Sequence, residues 1–158
     1  MKKILLLILP MTLLLFSQCK TAKKTVPGGD TIPEQPNGTA VHFTPSPTLS
    51  DILDEATRTN KLVFVDFYAT WCLPCKIMDE EVFTHQETAD FLNENFINYK
   101  VDGEKGNGQN LAVIFEVTAY PTLLFLDQKG RVLERKVGAA FHAELRELGQ
   151  RALSSQFN

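Results

Sequence analysis

The segment that decides the fold spans residues 65–76 and reads VDFYATWCLPCK. It begins inside an apolar run, residues 62–68, which predicts a central β-strand covered by helices on both faces. Cys72 and Cys75 follow where this strand passes into a helix, one helical turn apart. Cys72 then lies beside the free amide groups and the positive end of the helix dipole, which favour a thiolate. We expect Cys72 to be the nucleophile of disulfide exchange and Cys75 to resolve the mixed disulfide.

Two cysteines at this spacing also occur in zinc sites, which need about four ligands. The chain has no second cysteine pair, and we expect its histidines, His42, His85 and His142, to be isolated in separate predicted elements. A purely structural disulfide is also disfavoured, because bridging so short a loop constrains the unfolded chain little. We therefore expect neither a metal nor another cofactor at the cysteine pair.

Hydrophobic periodicity and turn residues on either side of the cysteines predict an α/β domain. Capping boxes at Thr48 and Thr84 begin two helices, the first ending near Asn60 and the second dividing the crossover that follows the cysteines. The other predicted elements are a short edge strand at 42–43, a parallel strand at 96–101, a flexible surface loop at 102–107, a helix at 109–115, an antiparallel hairpin of strands 122–126 and 131–137, and a final helix after Gly138 that includes Phe141. This order, βαβ followed by ββα, predicts a mixed central sheet flanked by helices.

Two of these segments resemble thioredoxins. Residues 65–76 resemble the active-site segment of that family, and Tyr120-Pro121-Thr122 resembles its cis-proline loop. The resemblance extends over about residues 42–153, with both motifs in the expected order. The long crossover, residues 78–96, is more similar to the C-terminal thioredoxin-like domain of transmembrane thiol-disulfide interchange reductases than to a small cytosolic thioredoxin. The resemblance implies a thioredoxin-like fold and the activity of a thiol-disulfide oxidoreductase.

The central strand carries one acid, Asp66, among apolar residues. Burial among them would raise the pKa of this carboxyl group, whereas a position at the strand end would leave it in solvent. The resemblance implies a buried acid that helps to deprotonate the resolving cysteine, here Cys75. Thioredoxins often pair that acid with a lysine on the next strand. Lys100 is the candidate. The length of the crossover leaves undetermined which residue of the first strand it faces, so we do not assign it to the site.

The resemblance also implies substrate-binding roles for three residues around the cysteines. Pro121 is expected to be cis, and the backbone beside it at Tyr120 is expected to pair with an extended substrate. Trp71 is expected to form a lid beside the thiols, and packing of its ring against Pro74 is compatible with that role.

The first residues of the chain differ in kind from the rest. Two lysines precede an apolar run at 4–16, which is the order of an export signal and is short for a membrane-spanning helix. The sequence LFSQC that ends at Cys19 resembles a bacterial lipoprotein processing site, although Phe16 and Gln18 depart from its usual pattern. An ordinary signal peptide is the alternative. Lipid on Cys19 would hold the domain at a membrane, on the periplasmic or extracytoplasmic side of a bacterial cell envelope.

The sequence thus predicts an export signal at 1–18, a flexible Pro- and Gly-rich tether at 19–41 and a folded domain at 42–158. The net charge of −3 offers no basic surface for nucleic acid. We expect a monomer that reduces disulfides of exported proteins and takes its electrons from a membrane thiol-disulfide donor. An oxidase or isomerase is the alternative, because the sequence does not set the reduction potential. A lipoprotein that uses the scaffold to bind copper, heme or a partner is a third class.

Overall fold

The computed structural model describes residues 40–157. The helices and strands of this part are α1 (Leu49–Thr59), β1 (Leu62–Tyr68), α2 (Leu73–Ile77), a π-helical turn (Met78–Val82), α3 (Gln86–Asn95), β2 (Phe96–Asp102), α4 (Gly108–Ile114), β3 (Thr122–Leu126), β4 (Val132–Val137), α5 (His142–Ser154) and a 3₁₀ turn (Ser155–Phe157). None of the helices between residues 40 and 157 is long and apolar enough to cross a membrane. The predicted export signal and Cys19 lie outside the described residues, as does nearly all of the predicted tether.

The four strands form one mixed sheet in the order β2-β1-β3-β4. β1 pairs with β2 in parallel and with β3 antiparallel, and β3 and β4 form the antiparallel hairpin. The predicted mixed sheet and the order βαβ then ββα are therefore confirmed. β1 lies inside the sheet, so the cysteine segment that follows it starts from the centre of the domain.

The residues of β1 alternate between two apolar layers, as the pleat of a strand requires. Leu62 and Phe64 belong to a core formed with the π-helical turn, α3 and α5. Val63, Val65 and Phe67 belong to a second core formed with α1 and α4. A fully buried side chain of this size contributes about 1.5–3 kcal/mol to folding. Both faces of β1 are therefore held in place by packing, which fixes the direction in which the chain leaves the sheet.

The first helix has the predicted ends, whereas the second capping box is wrong. Thr48 caps α1, its side-chain oxygen accepting the N–H of Asp51, and Asn60 ends the helix with a positive φ of 54°. In contrast, α3 begins only at Gln86, and the hydroxyl of Thr84 donates to the carbonyl of Glu80 at 2.6 Å. The π-helical turn provides that free carbonyl, and a threonine hydroxyl readily bonds back to the preceding turn.

Two smaller predictions are also corrected. The expected edge strand is a single bridge between Phe43 and Asn98. Pro45 and Pro47 follow it, and prolines lack the N–H that a longer ladder needs. Phe141 precedes α5 as its N-cap residue, with an extended backbone and a half-exposed side chain, so it is not part of the buried helical face.

Candidate active site

The cysteine pair lies between β1 and α2, as predicted. Cys72 caps α2, and its sulfur accepts a hydrogen bond from the backbone N–H of Cys75 at 3.2 Å. The two sulfurs are joined in a disulfide. Pro74 stands in the first turn, where the N–H that it lacks would have no partner within the helix. The free amides at this end of the helix favour a thiolate at Cys72 once the disulfide is reduced.

Both cysteines are almost inaccessible in the oxidised protein. Cys72 is 1% exposed and Cys75 is 2% exposed, and they pack together with Ala69. Tyr68 and Tyr120 pack against the same cluster. The side chains around the pair therefore determine how a substrate disulfide reaches Cys72.

Asp66 is buried near the end of β1, with 1% of its surface exposed. Its Oδ2 accepts a hydrogen bond from Nζ of Lys100 at 2.6 Å, and its Oδ1 has no donor among the described residues. Burial raises the pKa of Asp66, and the nearby Lys100 only partly offsets this effect. The solvent-facing alternative is thus excluded. The role of Asp66 towards Cys75 stays a prediction.

Lys100 forms the link between Asp66 and a second acid that the sequence did not indicate. It stands opposite Asp66 in the parallel register of β1 and β2. Its Nζ also pairs with Asp79, which lies in the π-helical turn. Three aromatic rings lie within 4.8–5.3 Å of the ammonium group: Phe43, Tyr68 and Phe83. Burial lowers the pKa of Lys100, but the two carboxylates outweigh it and the net shift is upward.

The Tyr120–Pro121 peptide bond is cis, as the resemblance implies. Tyr120 packs against the cysteine cluster, and the carbonyl of Pro121 accepts the N–H of Gly138 at 2.8 Å. Burial raises the pKa of the Tyr120 hydroxyl, and the nearby carboxylates of Glu104 and Asp102 raise it further. The proline loop therefore lies beside the cysteines, while its pairing with a substrate strand stays a prediction.

Trp71 lies beside Tyr120 at the rim of the site. The two rings meet edge to face with centroids 6.2 Å apart, and 67% of Trp71 is exposed. Its Nε1 donates to Oε2 of Glu104 at 2.9 Å. Residues 102–107, predicted as a flexible surface loop, are thus connected to the active site. No local sequence pattern predicts this contact, because the two residues are 33 positions apart in the chain.

The histidines are not all isolated, which corrects the prediction from the sequence. The rings of His85 and His142 stack with centroids 4.0 Å apart, and Nδ1 of each lies near the hydroxyl of Thr88. Between residues 40 and 157, however, there is no group of three or more His, Cys, Asp or Glu side chains that could hold a metal ion.

The chemistry of the site follows from the cysteine pair and its surroundings. A thiolate favoured at a helix N-terminus, with a second thiol one turn away, can exchange a dithiol for a disulfide. A buried acid with a raised pKa lies on the strand that leads to the pair. The protein is a thiol-disulfide oxidoreductase.

Residues 44–128 match the family model described as thioredoxin-like. The chain is 36% identical over 99 residues to a thioredoxin of Mycoplasmoides gallisepticum, and the match covers 61% of this chain and 89% of that one. The chain belongs to the thioredoxin-like family.

Two further similarities bear on the subfamily. The thiol:disulfide interchange protein DsbD of Actinobacillus pleuropneumoniae is 34% identical over 89 residues, which are 54% of this chain and 15% of that protein. The solution structure of a proposed disulphide-isomerase from Bacteroides thetaiotaomicron is 38% identical with a TM-score of 0.67, covering 76% of this chain and 98% of that one. The predicted resemblance to thiol-disulfide interchange proteins is confirmed, for a small part of their length.

Proposed function

We propose that the protein reduces disulfides of exported proteins through Cys72 and Cys75. The observation that carries this proposal is Asp66, an acid buried on the strand that leads to the cysteines, where burial raises the pKa of its carboxyl group, as is typical of groups that transfer protons. Release of a reduced substrate requires Cys75 to lose its proton and attack. An internal base on the adjoining strand would supply that step.

The reaction begins when the Cys72 thiolate attacks one sulfur of a substrate disulfide. A mixed disulfide forms, and the other substrate sulfur leaves as a thiolate that takes up a proton. Cys75, deprotonated with the help of Asp66, then attacks the sulfur of Cys72 and releases the second substrate thiol. The substrate has gained two electrons, and the protein is left with the Cys72–Cys75 disulfide. A dithiol donor must return two electrons before the next cycle.

We further propose that the domain works outside the cytoplasm, held at a membrane by lipid on Cys19. The charged and apolar order of residues 1–18 supports export, and the composition of residues 19–41 supports a flexible tether. Similarity to DsbD proteins supports a membrane thiol-disulfide protein as the electron donor. Exported proteins with disulfides would be the substrates, and the domain, residues 42–158, would act as a monomer.

The direction of exchange is tested by the reduction potential of the Cys72/Cys75 pair. The full chain carrying Cys19→Ser, so that one cysteine pair titrates, is equilibrated with dithiothreitol and glutathione buffers. A reductase should have a potential near the value of about −270 mV that is typical of thioredoxin. A value above about −200 mV would contradict the proposed direction.

An isomerase is the second candidate, favoured by the 38% identity to the proposed disulphide-isomerase. Refolding of scrambled ribonuclease separates the two functions. An isomerase should restore ribonuclease activity and should retain most of this ability in a Cys75→Ser variant, since reshuffling needs only the attacking thiol. A reductase should instead accumulate a mixed disulfide on Cys72 in that variant, which mass spectrometry detects.

Membrane attachment needs its own experiment. Cells that express the chain are labelled with a radioactive fatty acid, and membranes are separated from soluble protein. The wild-type chain should carry the label and sediment with membranes, while Cys19→Ala should lose the label. An unlabelled wild-type chain that is released as soluble protein would instead support an ordinary signal peptide.

A further inference from the structure

Glu104 lies in the loop between β2 and α4 and contacts the active site directly. Its Oε2 accepts a hydrogen bond from Nε1 of Trp71 at 2.9 Å. We propose that Glu104 is a positioning residue, which holds the indole of Trp71 beside the cysteine pair as a surface for protein substrates. The inference rests on disulfide exchange at Cys72 and Cys75, and it does not depend on the direction of that exchange.

Trp71 needs such a contact because most of its ring lies in solvent. It is 67% exposed, and Leu73, on the other side of Cys72 in the chain, is 66% exposed, so each presents apolar surface next to the buried disulfide. An exposed side chain on a turn has several rotamers of similar energy. The edge-to-face contact with Tyr120 and the charge-assisted hydrogen bond to Glu104 act on the same ring. Together they favour one orientation of the indole.

The loop that carries Glu104 is itself fixed on both sides of that residue. The N–H of Gly103 donates to the carbonyl of Tyr68, at the end of β1, at 2.9 Å. Asp102 accepts the N–H of Glu104 through Oδ1 at 3.1 Å, and Nζ of Lys105 lies 3.1 Å from Oδ2 of the same aspartate. The backbone of Glu104 is therefore held relative to the strand from which the cysteine segment departs.

Gly103 also brings the loop against Tyr120. A Cβ at Gly103 would lie 2.5 Å from the hydroxyl oxygen of Tyr120, so a side chain at this position would displace the ring. Tyr120 in turn packs against the cysteines. Glu104, Trp71 and Tyr120 thus form one connected rim around Cys72.

This rim affects large and small substrates differently. Cys72 is 1% exposed, so a protein disulfide has to rest on the surrounding side chains to reach it. A small soluble disulfide has no such surface to match. Loss of the Glu104 contact should therefore raise KM for a protein substrate and leave the chemistry of the thiols unchanged.

The experiment compares Glu104→Ala and Glu104→Gln in the full chain, with Glu94→Ala as the matched control. Glu94 is exposed at the end of α3, before β2, whereas Glu104 follows β2. The two residues are therefore about 20 Å apart, the length of that strand. Reduction of insulin is the protein assay, and reduction of an aromatic disulfide reagent is the small-molecule assay. Trp71 is the only tryptophan of the chain, so its fluorescence anisotropy reports on this ring alone.

We expect Glu104→Ala to lower the anisotropy of Trp71 and to raise KM for insulin about fivefold, with kcat and the small-disulfide rate changed less than about twofold. Glu104→Gln should resemble the wild type, because its amide oxygen still accepts the indole N–H. Glu94→Ala should have no effect on either assay.

Unchanged anisotropy or unchanged KM in Glu104→Ala would overturn the inference. An equal loss on the small disulfide would also overturn it, since Glu104 would then act on the thiols or on the fold. A Glu104→Gln variant as impaired as the alanine variant would overturn it as well, because the charge of Glu104, and not its hydrogen bond to Trp71, would then be responsible. If the wild-type chain itself does not reduce insulin, the proposed direction of exchange fails, while the anisotropy still tests the position of Trp71.

Discussion

Replacing Asp66 with Asn should make the protein more stable at neutral pH. Asn has nearly the same shape as Asp but cannot ionise. The carboxylate of Asp66 is buried, and its Oδ1 has no donor among the described residues. An unpaired buried polar atom costs about 1–3 kcal/mol, and a charged one costs more. Lys100 keeps its second partner, Asp79, in the variant. We therefore expect Asp66→Asn to raise the free energy of unfolding by about 1–2 kcal/mol at pH 7.

The pH dependence has a definite sign. Burial raises the pKa of Asp66 in the folded protein above its ordinary value of 3.8. Protons are therefore bound more tightly in the folded state than in the unfolded state. The contribution of Asp66 to the stability of the folded wild type is therefore fully present below the unfolded pKa. It is lost as the pH rises through the folded pKa. The advantage of Asp66→Asn should accordingly be small near pH 3.5 and should grow towards neutral pH.

The assay is guanidinium unfolding of the oxidised protein at several pH values, followed through the fluorescence of Trp71. Asp79→Asn serves as the control, because Asp79 also pairs with Lys100 but is 43% exposed. It should change the free energy of unfolding by less than about 1 kcal/mol. An Asp66→Asn variant that is less stable than the wild type at pH 7, or a difference that does not vary with pH, would refute the reasoning.

Three further predictions follow from single contacts. Lys100→Met should lower the free energy of unfolding by about 3 kcal/mol at pH 7, because it leaves the carboxylate of Asp66 buried without its cation; denaturant titration should show a smaller loss at pH 4, and an equal loss at both pH values would contradict this account. Gly103→Ala should displace Tyr120 and slow insulin reduction about tenfold, and unchanged kinetics would show that the close contact can relax. Thr48→Ala should remove a helix cap, lowering the free energy of unfolding by about 1 kcal/mol in the same titration, and any change in the rate of disulfide exchange would argue against a purely structural role.

Much of the fold could be predicted because its signals are local. The apolar run of β1, the cap at Thr48 and the turn before β4 each act within a few residues. Periodicity and turn residues predicted the order of the elements, and the cysteine segment and Tyr120-Pro121 then indicated the thioredoxin-like family through resemblance. The wrong prediction at Thr84 also has a local cause. The π-helical turn adds a residue to the hydrogen-bonded turn and leaves the carbonyl of Glu80 free to accept the hydroxyl of Thr84, which therefore does not cap α3.

Local sequence patterns could not place the polar partners at the site, because these contacts depend on register and on loop packing; the resemblance alone made Lys100 a candidate. Lys100 faces Asp66 only because β1 and β2 pair in one particular parallel register. Asp79 reaches Lys100 from the π-helical turn, which has no clear sequence signal. Glu104 reaches Trp71 across a loop. In each case the two residues are too far apart in the chain for spacing alone to connect them.

Burying the carboxylate of Asp66 in a central strand lowers the free energy of unfolding, and its surroundings reduce this destabilisation without removing it. Lys100 pairs with one oxygen only, while Asp79 and aromatic rings stabilise the lysine. An apolar residue on β1 would pack into the same core with no buried charge to compensate. If the acid served stability, Asp66→Asn would weaken the fold and leave exchange intact. If it serves proton transfer to and from Cys75, the same variant should be more stable and slower in exchange below about pH 8, where few thiols ionise unaided. Opposite changes in stability and rate would therefore assign Asp66 to the reaction.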